Sequence, residues 1–445
     1  MNHMLRKVII VLSVILLFFV ATMIYVLYGI YDTNSIKLDS NHKELVTLSK
    51  NDNQNVVLDE VGVKNDFKKE DLLIDEITTD DIESDTETTD AKILTPEEKY
   101  KAKDDFVKID TREKKDTFCF VGDIFLSRRP RAAYDEKGID GIIDSGFKKI
   151  LDGSDFNIGN LECSITDDEE NVADKTFTFA LPTKYVKALT ETGINLLTLA
   201  NNHILDYGTD AMLNTIKELD NNEISHIGAG KNIEEARTCF IKEIDGKRYA
   251  LIAASAVLPS DSWKAGDDRA GIFDGYNLKE LCNELRNVRP FVDKVIVYMH
   301  WGRELDTVSN DWQKNIGRRL IDVGADLVIG THPHVTQEIE YYKNVPIVYS
   351  LGNFIYGGTM RDMMLVEAVF DYSIDKNGQL QLIVVPGVTS YEQVKRYWKK
   401  ETIKEKIQEL QDKSSTCYIG DNGYVFTMEQ VEAALNTLAS SEKIN

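Results

Sequence analysis

Residues 189–203, LTETGINLLTLANNH, carry three structural signals and one chemical signal. Gly193 is placed to end a helix, because glycine takes the left-handed conformation that follows a last turn. Residues 194–200 are apolar and β-prone, as expected of a strand buried on both faces of a parallel sheet. Polarity then changes abruptly to Asn201-Asn202-His203. That is where an α/β sheet places its ligands, outside the carboxyl ends of the strands.

The same grammar returns 131 residues later in LIDVGADLVIGTHPH, residues 320–334, with Gly324 in the place of Gly193 and His334 in the place of His203. Around these two units, β-like runs alternate with helical stretches from Thr117 onward, which predicts an α/β architecture. Run 118–121 ends at Gly122-Asp123, and run 155–158 at Gly159-Asn160-Leu161-Glu162. Run 295–299 ends at His300-Trp301-Gly302, run 327–329 at Gly330-Thr331-His332-Pro333-His334, and run 347–350 at Leu351-Gly352-Asn353-Phe354.

Each ending alone has an ordinary explanation as a turn, a cap or a core histidine. Their distribution does not. Of seven histidines, His3 and His42 precede the domain, and four of the other five sit at strand carboxyl ends; only His226 is assigned a structural part. Imidazole, carboxylate and amide oxygen on one sheet edge form the ligand set of a borderline divalent ion such as Zn²⁺, Mn²⁺ or Fe²⁺. Other chemistries lack their signatures: there is no GxxxxGK[ST] loop and no GxSxG elbow.

The chain has 445 residues, 42% of them hydrophobic, enough for a sizeable core. Residues 1–7 contain Arg6 and Lys7, and residues 8–30 form an uncharged run of 23, long enough to cross a bilayer at about 1.5 Å per residue. Ala21-Thr22-Met23 continues into bulky Ile24, Tyr25 and Leu27, which favours an uncleaved transmembrane anchor over a signal peptide. The flanking positive charge then places residues 1–7 in the cytoplasm and the rest outside the cell.

Residues 31–116 lack apolar periodicity and read as an acidic disordered linker; residues 70–90 hold ten acidic side chains and no basic one. Beyond Asp116 the chain still carries −14 of its total net charge of −22. Nucleic acid is therefore not expected as a partner, since phosphate contacts need clustered Lys and Arg. The five cysteines are scattered without CxxC spacing, so no disulfide framework follows, and Cys119 and Cys163, in or beside strands, are expected to be buried, unpaired thiols. Residues 391–410 read as an amphipathic helix opening a C-terminal helical cap, residues 391–445, in which strand-like residues 417–426 and a last helix from Met428 follow.

The motifs GDIFLSRR, NLECSIT, LANNHILDYG, HWGRE, GTHPHV and YSLGNFIY, in this order and spacing, are similar to those of the bacterial capsule synthesis protein CapA family, associated with poly-γ-glutamate. That family resembles the calcineurin-like metallophosphoesterases. The resemblance implies a four-layer α-β-β-α sandwich over residues 117–390, with Asp123, Glu162, Asn202, His300, His332 and His334 as ligands of one or two Mn, Fe or Zn ions. By the same analogy His203 is the general acid, and Asp206 orients it.

Two positions depart from the phosphoesterase pattern. Phe125 stands where an Asp-x-His motif has its imidazole, and Glu162 represents the bridging aspartate. Just beyond the Gly-Asp turn, Arg128 or Arg129 is a candidate clamp for an anionic oxygen. The expected partners are the cell membrane, an anionic surface polymer such as poly-γ-glutamate, and other membrane subunits of a synthesis complex. The expected activity is metal-dependent hydrolysis of phosphodiester or γ-glutamyl bonds. The alternative is a non-catalytic polymer-binding or assembly subunit.

Overall fold

The computed structural model describes residues 56–60, 63–67 and 115–442, except 169, 171, 359, 374 and 375. The expected membrane anchor, residues 8–30, lies outside the described residues, and none of the helices described is long and apolar enough to cross a membrane. Within the segment expected to be an unstructured linker, Val56–Glu60 and Val63–Phe67 pair as a two-stranded sheet.

Strand β1 (Lys115–Ile124) is followed by α1 (Arg128–Lys137), α2 (Ser145–Gly153) and β2 (Phe156–Leu161). Then come α3 (Val186–Thr192), β3 (Leu196–Thr198), α4 (Gly208–Asn221) and β4 (Ser225–Ile227). A second series runs β5 (Phe240–Ile244), β6 (Lys247–Ser255), α5 (Leu278–Val288), β7 (Lys294–His300), α6 (Asp311–Asp322), β8 (Leu327–Thr331), β9 (Ile339–Tyr342) and β10 (Val345–Val348). The chain closes with β11 (Asn353–Ile355), β12 (Arg361–Asp371), β13 (Gln379–Thr389), β14 (Val394–Arg396), α7 (Lys400–Lys413), β15 (Cys417–Ile419), β16 (Tyr424–Thr427) and α8 (Met428–Glu442).

These strands form a ten-stranded sheet, β15-β16-β13-β12-β1-β2-β3-β4 with β11 added to β1 and β14 to β13, and a six-stranded sheet, β5-β6-β7-β8-β10-β9. Both are mixed, with parallel centres: β1 to β4 run parallel in the first, and β6, β7, β8 and β10 in the second. The two sequence units that share one grammar thus supply β3 to one sheet and β8 to the other. Gly193 ends α3 in the left-handed region at φ 86°, and Gly324 follows α6 at φ 114°.

Burial explains the continuous apolar runs. All seven residues of β7 are buried, and neighbours face opposite ways because strand side chains alternate. Ile296 and Tyr298 join the core shared with Phe118, Phe120 and Ile158 of the larger sheet, whereas Val295, Val297 and Met299 pack with Leu281, Leu285, Ile316 and Leu320 of α5 and α6. Each such large apolar side chain contributes about 1.5–3 kcal/mol on burial. Helices α2, α3, α4 and α7 add Phe147, Leu189, Met212 and Ile407 to the larger core.

The expected helix over residues 391–410 begins only at Lys400. Its first part is instead recruited as β14, which pairs with Gly387 to Thr389 of β13. Ile407 and Leu410 are buried as the apolar face requires, but Trp398 precedes the helix and is 66% exposed. Residues 417–426 supply β15 and much of β16 as their strand-like pattern predicts, and with the unexpected β14 these strands extend the larger sheet, so the cap is not purely helical. Cys119 and Cys163 are buried free thiols as expected, and Cys239, Cys282 and Cys417 are too.

Candidate metal centre

The carboxyl ends of the parallel strands of both sheets meet at one buried cluster. Asp123 stands near the end of β1, with Glu162 just past β2 and Asn202-His203 in the turn after β3. From the smaller sheet come His300 at the end of β7 and His332 and His334 just past β8. All are at most 8% exposed.

The distances join the two sheets. His300 Nε2 lies 2.9 Å from Asn202 Oδ1 and 3.4 Å from Glu162 Oε1. His334 Nδ1 lies 3.4 Å from Asp123 Oδ2 and 3.8 Å from Glu162 Oε2. Two triads, Glu162 with His332 and His334, and Asp123 with Glu162 and His300, bring their ligand atoms within 4.8 Å of one another. All six residues expected as ligands belong to this cluster.

Local backbone chemistry fixes the side chains. Gly122 lies so close to the neighbouring chain that a Cβ there would sit 1.7 Å from the Gly352 carbonyl oxygen. This approach lets the Asp123 amide donate to that carbonyl at 3.2 Å. The Thr331-His332-Pro333-His334 turn holds both histidines at positive φ, 97° and 58°. For residues with a Cβ this costs about 1–3 kcal/mol each, typical of positions held for function. The His332 amide answers by donating to Asp123 Oδ2 at 3.3 Å.

A shell of amides aims the ligands. Asn160 Nδ2 donates to Asp123 Oδ1 at 2.8 Å, while its Oδ1 accepts from Thr198 Oγ1 and Asn201 Nδ2. Asn353 Oδ1 is 2.7 Å from His334 Nδ1. Asn160 and Asn353 were visible in the sequence only as strand-end residues, and Asn353 carried no assigned role. Tyr356 stands beside Glu162.

The fit to a cation shows in what the protein leaves unpaired. Both oxygens of Glu162 and both ring nitrogens of His332 are buried with no hydrogen-bond partner. Such groups are costly in a folded interior, and a divalent ion is the partner that satisfies a carboxylate and an imidazole together. Burial holds His300 and His332 well below the ordinary imidazole range, so both are neutral and competent to ligate. Burial, reinforced by Asp123, raises the Glu162 carboxyl well above its usual value. Burial alone would lower His334, but the Glu162 and Asp123 carboxylates overcome it and raise it to about 9.

His203 and Asp206 form a separate dyad on the same turn, with Nδ1 of the histidine 2.6 Å from Asp206 Oδ2. Burial lowers the His203 imidazole more than Asp206 raises it. With Nδ1 engaged, Nε2 remains for proton transfer. The Phe125 ring stacks on Phe179 at 4.4 Å, and Phe179 stacks on His203 at 4.0 Å. Arg128 and Arg129 are exposed at the start of α1, and the Arg129 guanidinium lies over the Tyr391 ring at 4.5 Å. His226 lies apart, its Nε2 3.1 Å from Asp220 Oδ1 on α4.

Residues 117–357 match the family model described as bacterial capsule synthesis protein PGA_cap. The PGA biosynthesis protein CapA of Bacillus subtilis is 31% identical over 311 residues, covering 68% of this chain and 80% of that protein. The capsule biosynthesis protein CapA of Bacillus anthracis is 31% identical over 278 residues, covering 61% and 66% respectively. Among solved structures, a phosphatase from Mycoplasma pneumoniae aligns with a TM-score of 0.40 and 14% identity over 62% of this chain and 95% of its own.

Proposed function

This chain belongs to the bacterial capsule synthesis protein PGA_cap family, and from that premise we propose that it is a metal-dependent hydrolase serving synthesis or export of an anionic surface polymer of the poly-γ-glutamate type. The carrying observation is the buried, unpaired Glu162 and His332 within a cluster of carboxylates and imidazoles. We read the two facing sheets as a four-layer metallophosphoesterase-like sandwich. Residues 8–30 hold it at the outer face of the membrane, where other subunits of the synthesis complex are its neighbours; the uncharged run supports this.

In this reading Asp123, Glu162, Asn202, His300, His332 and His334 hold one or two divalent ions. A bound ion supplies Lewis acidity for hydrolysis of a phosphodiester or γ-glutamyl bond. The chain's own contribution is to orient the ligands through Asn160 and Asn353, to admit the water that hydrolysis consumes, and to move a proton at His203 Nε2. Arg128 is the exposed cation left for an anionic substrate oxygen, since Arg129 is engaged with Tyr391.

The test is turnover. Full-length protein supplied with Mn²⁺ is expected to cleave bis(4-nitrophenyl) phosphate or γ-glutamyl-4-nitroanilide. His203→Ala is expected to lower kcat at least ~100-fold while the protein stays folded and keeps its bound metal. A second reading, a non-catalytic polymer-handling subunit, is favoured by Phe125, whose ring packs on Phe179 where a further imidazole would stand. Absence of turnover on both substrates by metal-loaded protein decides for it.

A further inference from the structure

Lys175 stands on the irregular stretch between β2 and α3, yet its ammonium reaches into the turn after β3. Nζ lies 2.6 Å from Asp206 Oδ1, donates to the Asn202 carbonyl and stands 3.3 Å from His203 Nδ1, with the Trp263 ring centroid 5.1 Å away. An ammonium is costly to bury unless its donors are taken. Here a carboxylate, a carbonyl and an indole face take them, and the Lys175 side chain is only 17% exposed.

The same stretch holds the imidazole on two further sides. The Phe179 amide donates to Asp206 Oδ2 at 2.8 Å, and the Phe179 ring stacks on His203. The Ala173 amide donates to the Asp206 carbonyl at 2.7 Å. One buried carboxylate therefore receives Lys175 on Oδ1 and both Phe179 and His203 on Oδ2. An ammonium has no acceptor, so beside Nδ1 at 3.3 Å it cannot take a proton from the ring; bonded to Oδ1 at 2.6 Å, it leaves Oδ2, 2.6 Å from Nδ1, as the acceptor for an Nδ1–H.

We propose that Lys175 is a positioning residue for His203: by engaging Asp206 Oδ1 it aims Oδ2 at Nδ1, fixes the Nδ1–H tautomer, and leaves Nε2 for proton transfer. The inference rests on the reading of His203 as the proton-transfer group, so its test is made without substrate. It extends the functional unit beyond the strand ends to a residue with no motif of its own.

Full-length protein labelled with ¹⁵N-histidine is followed by NMR, with His203 assigned by the signal lost in His203→Gln. Wild type and Lys175→Arg are expected to show a slowly exchanging Nδ1–H on His203. Lys175→Met is expected to lose that signal, with its unfolding midpoint measured alongside. If Lys175→Met does not fold, Lys175→Gln carries the same comparison, because it keeps a donor for the Asn202 carbonyl without the charge. Retention of the protected Nδ1–H in the uncharged variant overturns the proposal, as does its absence from wild type. In turnover, Lys175→Met is expected to lower kcat about 10- to 100-fold with KM unchanged, and Lys175→Arg to restore most of it. Failure of the wild type to turn over counts against the hydrolase reading alone, since the tautomer is read without it.

Discussion

Glu162 and Asp123 are two fully buried carboxylates facing a histidine that they make unusually basic. With the His334 imidazole raised to about 9, it is protonated at pH 7 in the metal-free protein. A protonated imidazole cannot ligate, so binding must expel that proton. The sign follows: apparent metal affinity falls as pH drops below about 9, because protons then compete for the ligand. Calorimetry of Mn²⁺ or Zn²⁺ binding at pH 7, in buffers of different ionisation enthalpy, is expected to report release of about one proton or more per ion bound. Enthalpies independent of the buffer contradict this account of His334.

Strand ends place these residues, and the place where two strands come closest is the most sensitive. A methyl group at Gly122 would lie 1.7 Å from one backbone atom of Gly352 and 2.8 Å from another, neither of which can rotate away. Gly122→Ala is therefore expected to destabilise the domain by about 3 kcal/mol, as overpacking against fixed atoms does. A denaturation midpoint equal to wild type would show that β1 and the Gly352 segment separate freely.

The strands that carry the ligands were legible because being buried on both faces makes them continuous apolar runs ending in polar residues. The two Gly-ended helices before β3 and β8 announced themselves the same way. What could not be read were partners far apart in sequence. Asp123 and His332 are separated by 209 positions, and Lys175 meets Asp206 from a loop without periodicity. The helix expected from residue 391 failed for a similar reason: an edge of β13 recruited Val394 to Arg396 into the sheet, overriding local helical spacing.

Taken whole, the protein concentrates its chemistry at a seam between two sheets, on a chain whose total net charge is −22. A net negative charge repels a polyanion, so productive approach of an anionic polymer requires local compensation at the site. Divalent cations held by the cluster would supply that compensation, so hydrolysis and polymer binding both depend on metal occupancy. The direct measurement is elemental analysis of protein purified without chelators, beside a His332→Ala/His334→Ala variant. The account predicts about one or two transition-metal ions per chain in the wild type and their loss in the variant. No metal in the wild type, even after incubation with Mn²⁺, Fe²⁺ and Zn²⁺, would contradict it.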